Sequence, residues 1–149
     1  MLAIACCFGC SSEEDPPEHS HPGDGGNLGT SCDGIADYFA GIKVEGEQGV
    51  TVTLVDSAPA PPTAGQNVWT IEVRDAGDQP VDGATIVARP WMPKHGHGET
   101  PPAVSVKGNG RYELSPVYFR MSGPWEITFD ITLADQTSDS PVLALCIQG

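Results

Sequence analysis

Four side chains in the second half of the chain could hold a soft metal ion. Residues 89–102 read RPWMPKHGHGETPP and place Met92, His95 and His97 within six positions, between prolines and glycines. On an extended segment, side chains two apart share a face, so His95 and His97 would project together. Gly96 and Gly98 would also let the segment curl and bring both imidazoles to one ion, and Pro93 favours a turn between Met92 and His95. A thioether beside two imidazoles is a soft-to-borderline donor set. Copper suits it, because Cu(I) accepts Met sulfur and both oxidation states accept His nitrogen. Zinc rarely uses methionine, and calcium or magnesium would want oxygen.

A second thioether, Met121, follows the run Val117-Tyr118-Phe119-Arg120 and precedes a Gly-Pro turn. If the loops at one end of the fold converge, Met121 would complete a set of two methionines and two histidines. Trp91 or Trp125 would then be placed to lie over a bound cation, an attraction of about 0.5–2 kcal/mol. The same residues have plainer uses. His-x-His is a short motif, Met121 shares the parity of Val117 and Phe119 and would serve as core, and tryptophans commonly anchor packing. No Ser/His/Asp elbow or phosphate loop accompanies the set, so the expectation is a protein that binds rather than one that catalyses.

The elements that must position these groups read as short strands. From Gly49 onward apolar and polar residues alternate: Val50, Val52 and Leu54; then Trp69, Ile71 and Val73; then Ile127, Phe129, Ile131 and Leu133. Each set is one half-buried strand. Turn-forming stretches separate them: APAPPTAGQN (58–67), DAGDQPVDG (75–83), KGNGR (107–111) and MSGPW (121–125). About seven strands are expected, at 50–55, 67–74, 84–90, 103–106, 110–114, 117–121 with 125–133, and 141–147. The stretch from Ile35 to Ile42 is too interrupted by glycine to assign. Strands with one face to hide are satisfied by two sheets packed together, which predicts an all-β, immunoglobulin-like β-sandwich over residues 32–149.

The N-terminal part differs in composition. Met1 to Gly9 is apolar and runs into Cys10-Ser11-Ser12, then into an acidic tract rich in Pro and Gly. Residues 1–10 read as the remnant of a bacterial lipoprotein signal with Cys10 as the lipidated residue, and the positively charged start of such a signal would lie upstream. Residues 11–31 read as a disordered acidic tether with little to bury. It contains a second His-x-His, His19 and His21, which is decoration or at most a weak metal collector. With Cys10 lipidated and Cys6 and Cys7 removed, Cys32 and Cys146 remain, and two cysteines in an oxidising compartment most simply form one disulfide. A multiply acylated N-terminus would hold the domain firmly at a membrane. The expected location is the bacterial cell envelope, facing the periplasm, at the outer membrane in preference to the inner. The 20 acidic against 7 basic residues, a net charge of −13, repel phosphate backbones and argue against nucleic acid as a partner.

PVDGATIVARPWMPKHGHG, followed by GNGRYELSPVYFRMSGPWEITFDI, resembles the YtkA-like domain, related to the FixH family. The resemblance runs from about Gly49 to Cys146. It implies an immunoglobulin-like sandwich on an exported or membrane-anchored bacterial protein, associated with copper handling, with Met92, His95, His97 and Met121 as ligands. Implied partners are copper-accepting or efflux proteins of the envelope. Where the family has Met-Pro-Gly-x-Trp, this chain has Met121-Ser122-Gly123-Pro124-Trp125, with the proline displaced. The membrane helix of FixH is absent, and a lipid on Cys10 would replace it. The rival expectation is a sandwich that docks an envelope protein without metal, its His-rich loop only a rigid turn.

Overall fold

The computed structural model describes residues 32–149; Cys10, the signal-like segment and the 11–31 tether lie outside the described residues. The described residues form ten strands: β1 (Ile42–Glu45), β2 (Thr51–Ala58), β3 (Gly65–Arg74), β4 (Thr85–Met92), β5 (His97–Gly98), β6 (Ala103–Gly108), β7 (Arg111–Phe119), β8 (Gly123–Thr132), β9 (Ser138–Asp139) and β10 (Val142–Ile147). They build two antiparallel sheets. One has the order β1-β2-β3-β7-β6, the other β10-β8-β4-β5 with β9 also on β8. The seven principal strands therefore divide as β2-β3-β7-β6 against β4-β8-β10. This is the four-plus-three arrangement of a constant-type immunoglobulin domain.

Period-2 alternation explains the packing. Trp69, Ile71 and Val73 of β3 face Ile127, Phe129 and Ile131 of β8 across the core, all at most 1% exposed. In β7 the inward set is Tyr112, Leu114, Val117 and Phe119, with a break in spacing between Leu114 and Val117. A register shift resolves it: Trp69 pairs with Leu114 but Asn67 pairs with Val117, so β7 carries one extra residue at Ser115-Pro116. A bulge of this kind resets which face each side chain takes. The segments expected as separate strands at 110–114 and 117–121 are thus one bulged strand. The proposed continuation of 117–121 into 125–133 is broken at 120–122, where the chain crosses to the other sheet. Strands β1, β5 and β9 were not anticipated.

Tyr112 ties the far end together. Its hydroxyl donates to the Val81 carbonyl at 2.7 Å and accepts from the Ala84 amide at 2.9 Å. Burial pushes its phenol above the ordinary tyrosine range, which favours the neutral, donating form. Nearby, the Gly110 amide donates to Asp82 at 2.8 Å. A Cβ on Gly110 would sit 2.7 Å from the Val73 carbonyl oxygen of β3 and 2.9 Å from Pro80 Cβ, so only glycine lets the β6–β7 hairpin approach β3 and the PVDGA turn this closely.

The opposite pole positions the candidate donors. Strands β2, β4, β7 and β10 all end there, because each is antiparallel to a strand that begins there. This pole gathers residues 59–64, the 93–96 turn, the 120–122 turn and the last residues of the chain. Gln148 joins two of these segments, donating its amide to the Pro62 carbonyl at 3.0 Å and accepting from the Ala64 amide at 2.8 Å. Cys32 and Cys146 are joined there by a disulfide that spans 114 positions of sequence. It fixes the start of the domain to its last strand. Among the described residues no helix is long and apolar enough to cross a membrane.

Candidate functional site

The site begins where β4 runs out. Ile86, Ala88 and Met92 of β4 all point inward, and Met92 is completely enclosed. The chain then turns, with the His95 and Gly96 amides donating back to the Met92 carbonyl at 3.2 and 2.9 Å. Gly96 has a φ of 65°, a conformation that costs glycine nothing. The return strand β5 pairs Met92 with His97 and Trp91 with Gly98. Directly opposed residues on antiparallel strands share a face. His97 therefore lies on the inner side beside Met92, with its side chain 27% exposed. Of the two arrangements open to His95 and His97, the chain adopts the curled one: His95 sits on the exposed turn and the two rings are 6.1 Å apart.

Trp91 takes the opposite face. It is 44% exposed, and a Cβ on Gly98 would meet its ring at 3.2 Å and the Pro90 carbonyl oxygen at 2.9 Å. The second glycine of HGHG is thereby explained, and Trp91 lies on the other side of the sheet from the Met92 and His97 side chains. Trp125 is the tryptophan that borders His97. Fully buried, it meets the His97 ring edge-on at 5.4 Å and the Phe119 ring at 5.2 Å. Its indole N–H donates to the Met121 carbonyl at 3.0 Å.

Met121 is 37% exposed in the 120–122 turn, a rim residue despite its core-like parity in the sequence. The turn that carries it is held to the His97 strand twice. One link is Trp125, which touches both. The other is an ion pair between Arg120 Nε and Glu99 Oε1 at 3.0 Å. Neither Glu99 nor Arg120 was singled out from the sequence. The available signal was a carboxylate two residues beyond His97, hence on its face of an extended segment, and a cation next to Met121. Glu99 is unusual for a carboxylate in having a side chain only 8% exposed.

One polar atom here lacks a partner. His97 Nδ1 is buried and makes no hydrogen bond; the Glu99 carboxylate oxygen lies 4.0 Å away, beyond hydrogen-bonding distance. A buried nitrogen left unpaired costs on the order of 1–3 kcal/mol. Among the described residues no three His, Cys, Asp or Glu side chains gather into a metal-holding group. A metal at this pole would thus depend on the thioethers. Beside the turn, a cleft of about 270 Å³ opens between Ile35, Pro93, Lys94 and Trp125.

No curated protein and no solved structure matches the chain. The family model of YtkA-like proteins matches residues 45–130, a span that contains Met92, His95, His97, Met121 and the glycines that shape their turns. That match covers more than half of the sequence, and the chain belongs to the YtkA-like family.

Proposed function

We propose that this domain binds copper and hands it on, using His97 and Met92 at the inner edge of the pole with His95 and Met121 supplied by the two adjoining turns. The observation that carries the reading is the buried, unpartnered His97 Nδ1, placed on the same face as the enclosed Met92 thioether. A buried imidazole nitrogen with no protein partner, on the same face as a soft sulfur, matches what Cu(I) takes. The 6.1 Å separation of the two imidazole rings is compatible with both reaching one ion through metal–nitrogen bonds of about 2 Å. Trp125, edge-on to His97, would wall the site from below. The role is carriage rather than catalysis. In this reading the protein is exported, held by lipid on Cys10 at the envelope with its sandwich in the periplasm, and its partner is a copper-accepting or efflux protein there. The resemblance to the FixH family fits the same setting.

A titration with Cu(I) under ascorbate, which leaves the disulfide intact, tests this. Cys6, Cys7 and Cys10 are strong Cu(I) ligands in their own right, so the background carries Cys6→Ser, Cys7→Ser and Cys10→Ser. One equivalent should bind, and His95→Ala/His97→Ala should lose it while the far-ultraviolet spectrum and melting curve stay close to the parent. Absence of uptake by the parent ends the proposal.

The second reading, a docking module without metal, draws on the outer face of the β10-β8-β4 sheet, where Trp91 and Val142 are 44% and 46% exposed. Trp91→Ala should then abolish capture of an envelope partner and leave copper binding untouched.

A further inference from the structure

We propose that Glu99 is a counter-charge shared between Arg120 and the incoming metal, so that loading the His97 site releases Arg120 to solvent. This rests on the copper reading above. Three features of the pole carry it. Glu99 is nearly buried at 8% side-chain exposure, and a carboxylate in that position requires a compensating charge. Its permanently charged partner at ion-pair distance, among the described residues, is Arg120 at 3.0 Å; His97, at 4.0 Å, would count only if protonated. Arg120 itself is 64% exposed, so its guanidinium reaches inward from solvent and can return there at little cost. The same Glu99 oxygen is 4.0 Å from the unpartnered His97 nitrogen.

A cation held at His97 would satisfy Glu99 from the inner side. The guanidinium and the metal then compete for one carboxylate, and whichever is present makes the other less favoured. Arg120 immediately precedes Met121 and follows Phe119, the last residue of β7. Loss of the Arg120–Glu99 pair therefore exchanges one of the two ties between the Met121 turn and the His97 strand for the bond from Met121 to the metal. The other tie, Trp125, remains. The loaded domain would present a free arginine at its rim, a surface that distinguishes it from the empty one.

The sign of one substitution separates this from a merely structural ion pair. In the serine background, Arg120→Ala should tighten Cu(I) binding about three- to tenfold, because a competitor is gone. Glu99→Gln should weaken it about tenfold or more, as loss of a charged partner beside a ligating histidine does. Arg120→Ala introduced on top of Glu99→Gln should change the affinity by less than about twofold, because the two effects share one carboxylate. Arg120→Lys, which keeps the charge, should stay near the parent. In proton–nitrogen spectra of the diamagnetic Cu(I) form, the Arg120 Nε–H signal should move to the position it takes in Glu99→Gln. If the parent binds Cu(I) but Arg120→Ala binds it equally or less tightly, competition is overturned and the copper site stands. If the parent binds none, both fall.

Discussion

Removing the disulfide by Cys32→Ala/Cys146→Ala is expected to destabilise the domain by about 4 kcal/mol and to lower its thermal midpoint by about 15 °C. The bond closes a loop of 114 positions, nearly the whole described domain, so the entropy restored to the unfolded chain on cutting it is large. Its location raises the stakes for the site. Cys146 pairs with Pro124 and Leu145 pairs with Trp125 in the β10–β8 ladder, so the bond anchors the strand next to the tryptophan that borders His97. Urea unfolding monitored by tryptophan fluorescence reads the loss directly. A midpoint unchanged within error would mean that packing alone sets the stability and that the pole does not depend on its covalent tie.

Trp125→Ala is expected to cost about 3–5 kcal/mol, the range for deleting a large buried aromatic side chain. The ring is completely enclosed between Phe119 and His97, and its loss also strands the Met121 carbonyl that the indole N–H satisfies. Trp125→Phe separates the two contributions. It retains most of the packing and removes only the hydrogen bond, for a loss of about 1 kcal/mol. If both turns are positioned through this residue, Trp125→Phe should also weaken Cu(I) binding while the fold persists. A phenylalanine variant that binds Cu(I) as the parent does would show that the indole serves packing alone.

The sandwich was legible in the sequence because alternation is a local signal: Trp69–Arg74 of β3 and Trp125–Thr132 of β8 carry it without interruption, and β2 carries it as far as the bulge after Leu54. What was not legible depends on distance in the chain. The two-residue strand β5 exists only because Met92 and Trp91 find His97 and Gly98 across the turn, and no periodicity fits in two residues. The bulge at Ser115-Pro116 let one strand pass for two, since Leu114 and Val117 both face inward at a spacing of three. Strand β1 has only Ile42 and Val44 to mark it, after a glycine and before another. The site was legible in residue type but not in depth. Met92 and Met121 look alike as thioethers, yet one ends inside the core and the other on the rim, a difference set by where β4 and β7 stop. Trp91 and Trp125 likewise fall on different sides because their strand parities differ. The Glu99–Arg120 pair joins positions 21 apart and became visible only with the two turns placed side by side.

X-ray absorption at the copper edge, on the Cu(I)-loaded chain carrying Cys6→Ser, Cys7→Ser and Cys10→Ser, asks the central question most directly. With Cys32 and Cys146 held as a disulfide, sulfur bound to the metal can come only from methionine. The account predicts a first shell that contains both imidazole nitrogen and sulfur, with the sulfur lost in Met92→Leu/Met121→Leu and the nitrogen in His95→Ala/His97→Ala. A shell of nitrogen and oxygen alone would contradict it.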